Sequence, residues 1–188
     1  MKFFVTAASL SVLAAQESIT IRTQDGASIA ADLYGAGTKG VVLAHGGRRT
    51  KSDWAPQARQ LAAAGFRVLA FDFRGFGKSP VGPKTPADDD DFRFDVLAAV
   101  RYLRQHGAQT VSVVGGSFGG EAAAEASVEA AAGEIDRLVL LAHGSTKEPE
   151  KMKGRKLFIV STTTAMAADR GCPGSALISP RRLNQSGW

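Results

Sequence analysis

With 188 residues, 44% of them apolar, the chain is of one-domain length and has enough apolar material to bury a core. Lys and Arg outnumber Asp and Glu by 23 to 18, a formal charge of +5. The basic residues are scattered, apart from clusters at Lys147 to Lys156 and at Arg181-Arg182, and are not interleaved with aromatics. That argues against a track for nucleic acid. No apolar run is long enough to cross a membrane, and the single Cys172 cannot form an internal disulfide.

Met1 to Ala15 has one Lys, about a dozen apolar residues and small residues before Gln16. This is the pattern of a signal peptide, so the expectation is secretion or periplasmic export; the competing reading is an N-terminal segment packed on a cytoplasmic domain. Ile19 and Ile21 alternate with polar residues over 18–23, Asp25-Gly26 signals a tight turn, and the alternation resumes over 28–34. These read as two antiparallel edge strands. Gly40 to Ala44 is a continuous apolar run, as in a strand covered on both faces. Over 53–64, Trp54, Ala58, Leu61 and Ala62 fall on one helical face, with Gly65 as the cap.

A second buried strand is predicted over 67–73. The carboxylates at 88–91 read as caps for a helix whose apolar face carries Phe92, Val96, Ala99, Val100 and Leu103, rather than as a metal site. Strands follow at 110–114, 137–142 and 156–161. Two edge strands followed by alternating strands and helices predict an α/β fold with a doubly wound, mostly parallel sheet. The link from His143 to Arg155 is too short for a cap domain. From 171 onward the chain is rich in Pro, Gly, Ser and Arg without periodicity, which predicts an irregular tail after a domain at 16–170.

The stretch with the clearest chemistry is Val111 to Gly120. A β-forming run ends in Gly115-Gly116-Ser117-Phe118-Gly119, followed by an alanine-rich helix former at 121–132. A serine at the apex of a strand–turn–helix, flanked by glycines at G-x-S-x-G spacing, is the pattern of a nucleophile elbow. Ser117 is the candidate nucleophile.

Three blocks in order carry a family resemblance: 41–47 (Val-Val-Leu-Ala-His-Gly-Gly), 72–79 (Asp-Phe-Arg-Gly-Phe-Gly-Lys-Ser) and 115–119. The chain resembles the α/β-hydrolases, specifically the small lidless esterases similar to dienelactone hydrolases and prolyl oligopeptidases. The resemblance implies a serine carboxylic-ester hydrolase for small soluble esters, with no metal or cofactor. It also implies an oxyanion hole from the backbone N–H groups of Phe118 and Gly47. His45 and Asp72-Arg74 are then loop scaffolding.

The same resemblance places a catalytic acid after the strand that ends near Ser161, and a histidine one strand later. Thr162-Thr163-Thr164 stands where the aspartate belongs, Asp169 is the nearest carboxylate, and no histidine follows His143. On this reading the family's final strand, histidine loop and helix are expected to be missing from the chain. His106 falls at a helix C-terminus, at the wrong end of the sheet. His143 follows the strand expected beside the elbow and is the candidate base. The rival reading is a catalytically impaired or binding-only protein of this fold. A sheet edge left open would also let a second subunit pair with it, giving a homo-oligomer.

Overall fold

The computed structural model describes residues 16–82 and 91–160. The 1–15 segment, Thr162-Thr163-Thr164, Asp169 and the 171–188 stretch all lie outside the described residues. Seven strands form one sheet: β1 (Glu17–Arg22), β2 (Ser28–Tyr34), β3 (Lys39–Ala44), β4 (Phe66–Phe71), β5 (Thr110–Gly116), β6 (Arg137–Leu141) and β7 (Arg155–Ile159). Among the described residues three α-helices accompany them: α1 (Ala55–Ala63), α2 (Phe92–Gln105) and α3 (Phe118–Glu129). The strand order is β1-β2-β4-β3-β5-β6-β7. β1–β2 and β2–β4 are antiparallel, and every other pairing is parallel. This is the mostly parallel α/β-hydrolase sheet that the sequence predicts.

The apolar runs are continuous because the central strands are covered on both faces. In β3, Val42 and Ala44 join one core cluster while Val41 and Leu43 join the other; Leu69 and Phe71 of β4 alternate with Val68 and Ala70 in the same way. The larger cluster takes in Val96, Leu97, Ala99, Val100 and Leu103 of α2 and the alanines of α3. The smaller one is closed by Ala58 and Ala62 of α1 with Trp54 packed against it. α2 and α3 therefore share one face of the sheet and α1 covers the other.

Three expectations change at the element level. β2 is interior, not an edge strand, because its second side pairs with β4 from Ala31↔Phe71 to Tyr34↔Val68. A hairpin signal reports the turn partner but says nothing about the other side of the strand. The elbow helix begins at Phe118, directly after Ser117, not at Glu121. Of the carboxylates expected to cap α2, those at 88–90 lie outside the described residues; Asp91 stands at the N-cap without a side-chain capping bond, 3.9 Å from the Arg74 guanidinium.

Among the described residues β7 is the outermost strand on this side, and its Leu157, Phe158 and Ile159, with Val160 just after it, are about half exposed or more. Among the described residues no helix covers either face of it.

Candidate active site

β5 brings the chain to the carboxyl edge of the sheet, and Ser117 turns it into α3 within one residue. Its φ of 49° and ψ of −115° form a conformation that L residues avoid, at a cost of about 1–3 kcal/mol. The neighbours hold it there. Its N–H donates to Leu141 O at 2.8 Å, and its own carbonyl accepts from the N–H groups of Gly120 (2.8 Å) and Glu121 (3.1 Å). The glycines of the motif are required by close approach. A methyl carbon on Gly115 would stand 2.3 Å from Gly119 O, and one on Gly119 would stand 2.4 Å from His45 O. The start of the helix thus crosses directly over the ends of β3 and β5. Ser117 is solvent-exposed.

The Gly46-Gly47 turn lies against the elbow. A methyl carbon on Gly46 would be 4.0 Å from Ser117 Cβ, and one on Gly47 would be 3.7 Å from Phe118 Cβ. The two predicted oxyanion donors, Gly47 and Phe118, are therefore neighbours in space. The Phe118 ring is pinned among Phe92, Phe73 and Phe76, with centroids 4.8, 5.1 and 5.8 Å away, which fixes the backbone it hangs from. A first-turn position also gives the Phe118 N–H no acceptor within the helix.

His45 is a brace. Phe73 N–H donates to its Nε2 at 3.2 Å, so the ring proton sits on Nδ1 and is donated to Gly46 O at 2.8 Å. Burial keeps the imidazole below its usual pKa and neutral. Both ring nitrogens are spent, and His45 cannot take a proton from Ser117 without losing the turn. Asp72 ties down the flanking loops, accepting from Lys51 N–H (2.7 Å) and Lys78 N–H (2.9 Å). These two sites match the scaffolding read from the sequence.

The candidate base is beside the elbow but not joined to it. His143 follows β6 through Ala142, itself at φ 49°, and its Cβ would lie 3.3 Å from a methyl carbon on Gly120, in the first turn of α3. Its Nε2 is hydrogen-bonded to Thr146 Oγ1 at 2.8 Å. Among the described residues no carboxylate contacts His143, and Asp169 lies outside them. His106 ends α2, bonded to Tyr102 O at 2.7 Å and stacked on the Tyr102 ring at 3.9 Å, away from the elbow as the sequence predicts. Among the described residues no three His, Cys, Asp or Glu side chains come together to hold a metal ion.

Two features escaped the sequence reading. A cleft of about 200 Å³ opens beside Gly46, lined by His45, Arg49, Asp53, Trp54 and Gln57. Trp54 is legible as an apolar helix-face residue, and nothing in its spacing says that its ring reaches Gly116. The second is the pair of carboxylates around Arg74, whose buried guanidinium is gripped by Asp95 (2.7 and 3.0 Å) and Asp25. Burial alone would lower its pKa; the bonds to Asp25 and Asp95 outweigh that and raise it, so the charge is permanent.

A strained serine between a parallel strand and a helix, at the carboxyl edge of such a sheet, defines a nucleophile-elbow protein. The family described as the alpha/beta hydrolase fold matches residues 40–167, and the chain belongs to it. It is similar to an esterase of Pyrococcus furiosus, 25% identical with a TM-score of 0.60, over 76% of this chain and 58% of that one. It is also similar to an epoxide hydrolase from an endophytic Streptomyces, 30% identical with a TM-score of 0.56, over 66% and 36%. A non-heme chloroperoxidase of Streptomyces lividans is 33% identical over 123 residues, 65% of this chain and 43% of that protein. The chain thus spans less than half the length of this curated relative.

Proposed function

We propose that the protein is a serine carboxylic-ester hydrolase acting on small soluble esters, of the lidless esterase type. The observation that carries this reading is Ser117 held in a strained, exposed position with the Gly47 and Phe118 backbones beside it. Ser117 Oγ attacks the ester carbonyl, and the negative charge that develops on the carbonyl oxygen is met by the two N–H groups. One such donor is worth a hundredfold or more in rate, about 2.7–4 kcal/mol. The serine proton passes to His143, which must first release Thr146, and from there to the leaving alcohol. Water then attacks the acyl-enzyme, His143 takes its proton and passes it to Ser117 Oγ as the acyl bond breaks, and the acid leaves a free Ser117. Asp169 is the proposed orienting acid.

The nucleophile also bears on the relatives. Opening an epoxide through a covalent alkyl-enzyme needs a carboxylate, because an alkylated carboxylate is an ester that water can cleave. A serine would be left as an inert ether. Ser117 therefore favours acyl transfer.

The test is hydrolysis of p-nitrophenyl acetate and butyrate by wild type, Ser117→Ala and His143→Ala. The expected result is that Ser117→Ala falls to the uncatalysed rate and His143→Ala loses about a hundredfold or more. Equal rates in wild type and Ser117→Ala would overturn the assignment and leave a binding-only protein of this fold. An unaffected His143→Ala would remove His143 alone.

A further inference from the structure

The cleft beside the elbow has an occupant that the sheet order selects. β5 carries Ser117, with β3 on one side and β6 on the other. The Gly46-Gly47 turn and the cleft belong to the β3 side, and His143 to the β6 side. A leaving alcohol must accept its proton from the base, so it faces β6. The carbonyl oxygen faces Gly47 and Phe118. The acyl group is the substituent that neither contact claims, and the cleft beside Gly46 is a described space on the side away from His143.

The walls of the cleft decide what fits. Trp54 Cζ2 would lie 3.9 Å from a methyl carbon on Gly116, so the indole bounds the cleft against the residue that precedes the nucleophile. Trp54 precedes α1 directly and packs on the smaller core cluster, which holds the ring in place. Farther out the lining turns polar. Arg49 and Asp53 stand 3.9 Å apart, both exposed, with Gln57 beside them. At about 200 Å³ the cleft is below the roughly 300–1,000 Å³ of pockets that take drug-sized ligands. A short acyl chain ends against the indole. A long one must run over a hydrated ion pair and gains no apolar burial there.

We infer that this cleft is the acyl pocket and that Trp54 sets its length limit, restricting the enzyme to short-chain acyl esters. This rests on the serine-esterase reading above. Trp54 is a specificity-determining residue here; it takes no part in bond making.

The experiment is a p-nitrophenyl ester series from acetate to octanoate, with wild type, Trp54→Ala and the milder Trp54→Leu in case the alanine variant folds poorly. Wild type should show kcat/KM for octanoate at least tenfold below that for butyrate. In the variants the octanoate-to-butyrate ratio should rise at least tenfold, mostly through KM. A merely structural role would lower every ester in proportion and leave the ratio fixed, and that result overturns the proposal. So does a wild type that takes octanoate as well as butyrate. Binding of propyl- and octylboronic acid, which add to a serine without turnover, reads the same pocket when hydrolysis is slow. Octyl should bind more weakly than propyl to wild type and gain in the variants; equal binding overturns the inference. Ser117→Ala separates the two levels. Turnover lost in Ser117→Ala with an unmoved Trp54 ratio defeats only the pocket, whereas turnover retained in Ser117→Ala defeats the esterase reading and the pocket with it.

Discussion

Ser117 stores backbone strain where the chemistry is. Its φ of 49° is tolerated because Leu141 O and the Gly120 and Glu121 N–H groups hold both sides of its peptide. Glycine has no Cβ to strain there. Ser117→Gly should therefore stabilise the fold by about 1 kcal/mol and raise Tm by about 2–4 °C while abolishing ester hydrolysis. Calorimetry of the two proteins checks this; a Tm that is unchanged or lower would mean that the turn is not strained. The motif glycines were legible for their spacing. That Gly119 lies against His45 O, just past the end of β3, is a contact no local pattern records.

At the scale of elements, Arg74 and Asp95 join the loop after β4 to α2, and Asp25 joins both to the β1–β2 turn. The Asp95 side chain is fully buried and that of Arg74 is 8% exposed. Burial raises the Asp95 pKa, and the Arg74 bonds oppose that rise. Removing one partner of a buried pair leaves a charge that water cannot reach. Asp95→Asn should cost about 3 kcal/mol, or about 6–12 °C in Tm. A loss below about 1 kcal/mol in urea unfolding would show that Asp25 suffices to hold Arg74. Sequence reading placed Arg74 in a scaffolding loop correctly. It named only the apolar positions of α2 and left Asp95 unread, because helical periodicity reports a face and not what meets it.

For the whole molecule, the neutral His45 links stability to pH. Its folded-state pKa is depressed by burial, so below the ordinary value of about 6.5 the unfolded chain takes up a proton that the native one refuses. Its contribution is fully present above that value and is lost as pH falls through the folded pKa. The urea midpoint of wild type should drop between pH 7 and pH 5, and His45→Gln should lose part of that drop. His106 and His143 are common to both proteins and cancel. A pH dependence identical in the two proteins would show that His45 is not the linked group.

The alternating and continuous apolar runs, the turn residues and the G-x-S-x-G spacing determined by themselves that this chain folds as an α/β-hydrolase sheet with Ser117 at its elbow. Each of those signals is local, a matter of which way successive side chains point and which backbone turns glycine permits. Tertiary structure alone decided the rest. It paired β2 with β4, set Gly47 against Phe118 and brought Trp54 to the wall beside Gly116. Those outcomes depend on contacts between residues far apart in sequence, whose distances follow from how the sheet and helices pack and from no periodicity along the chain.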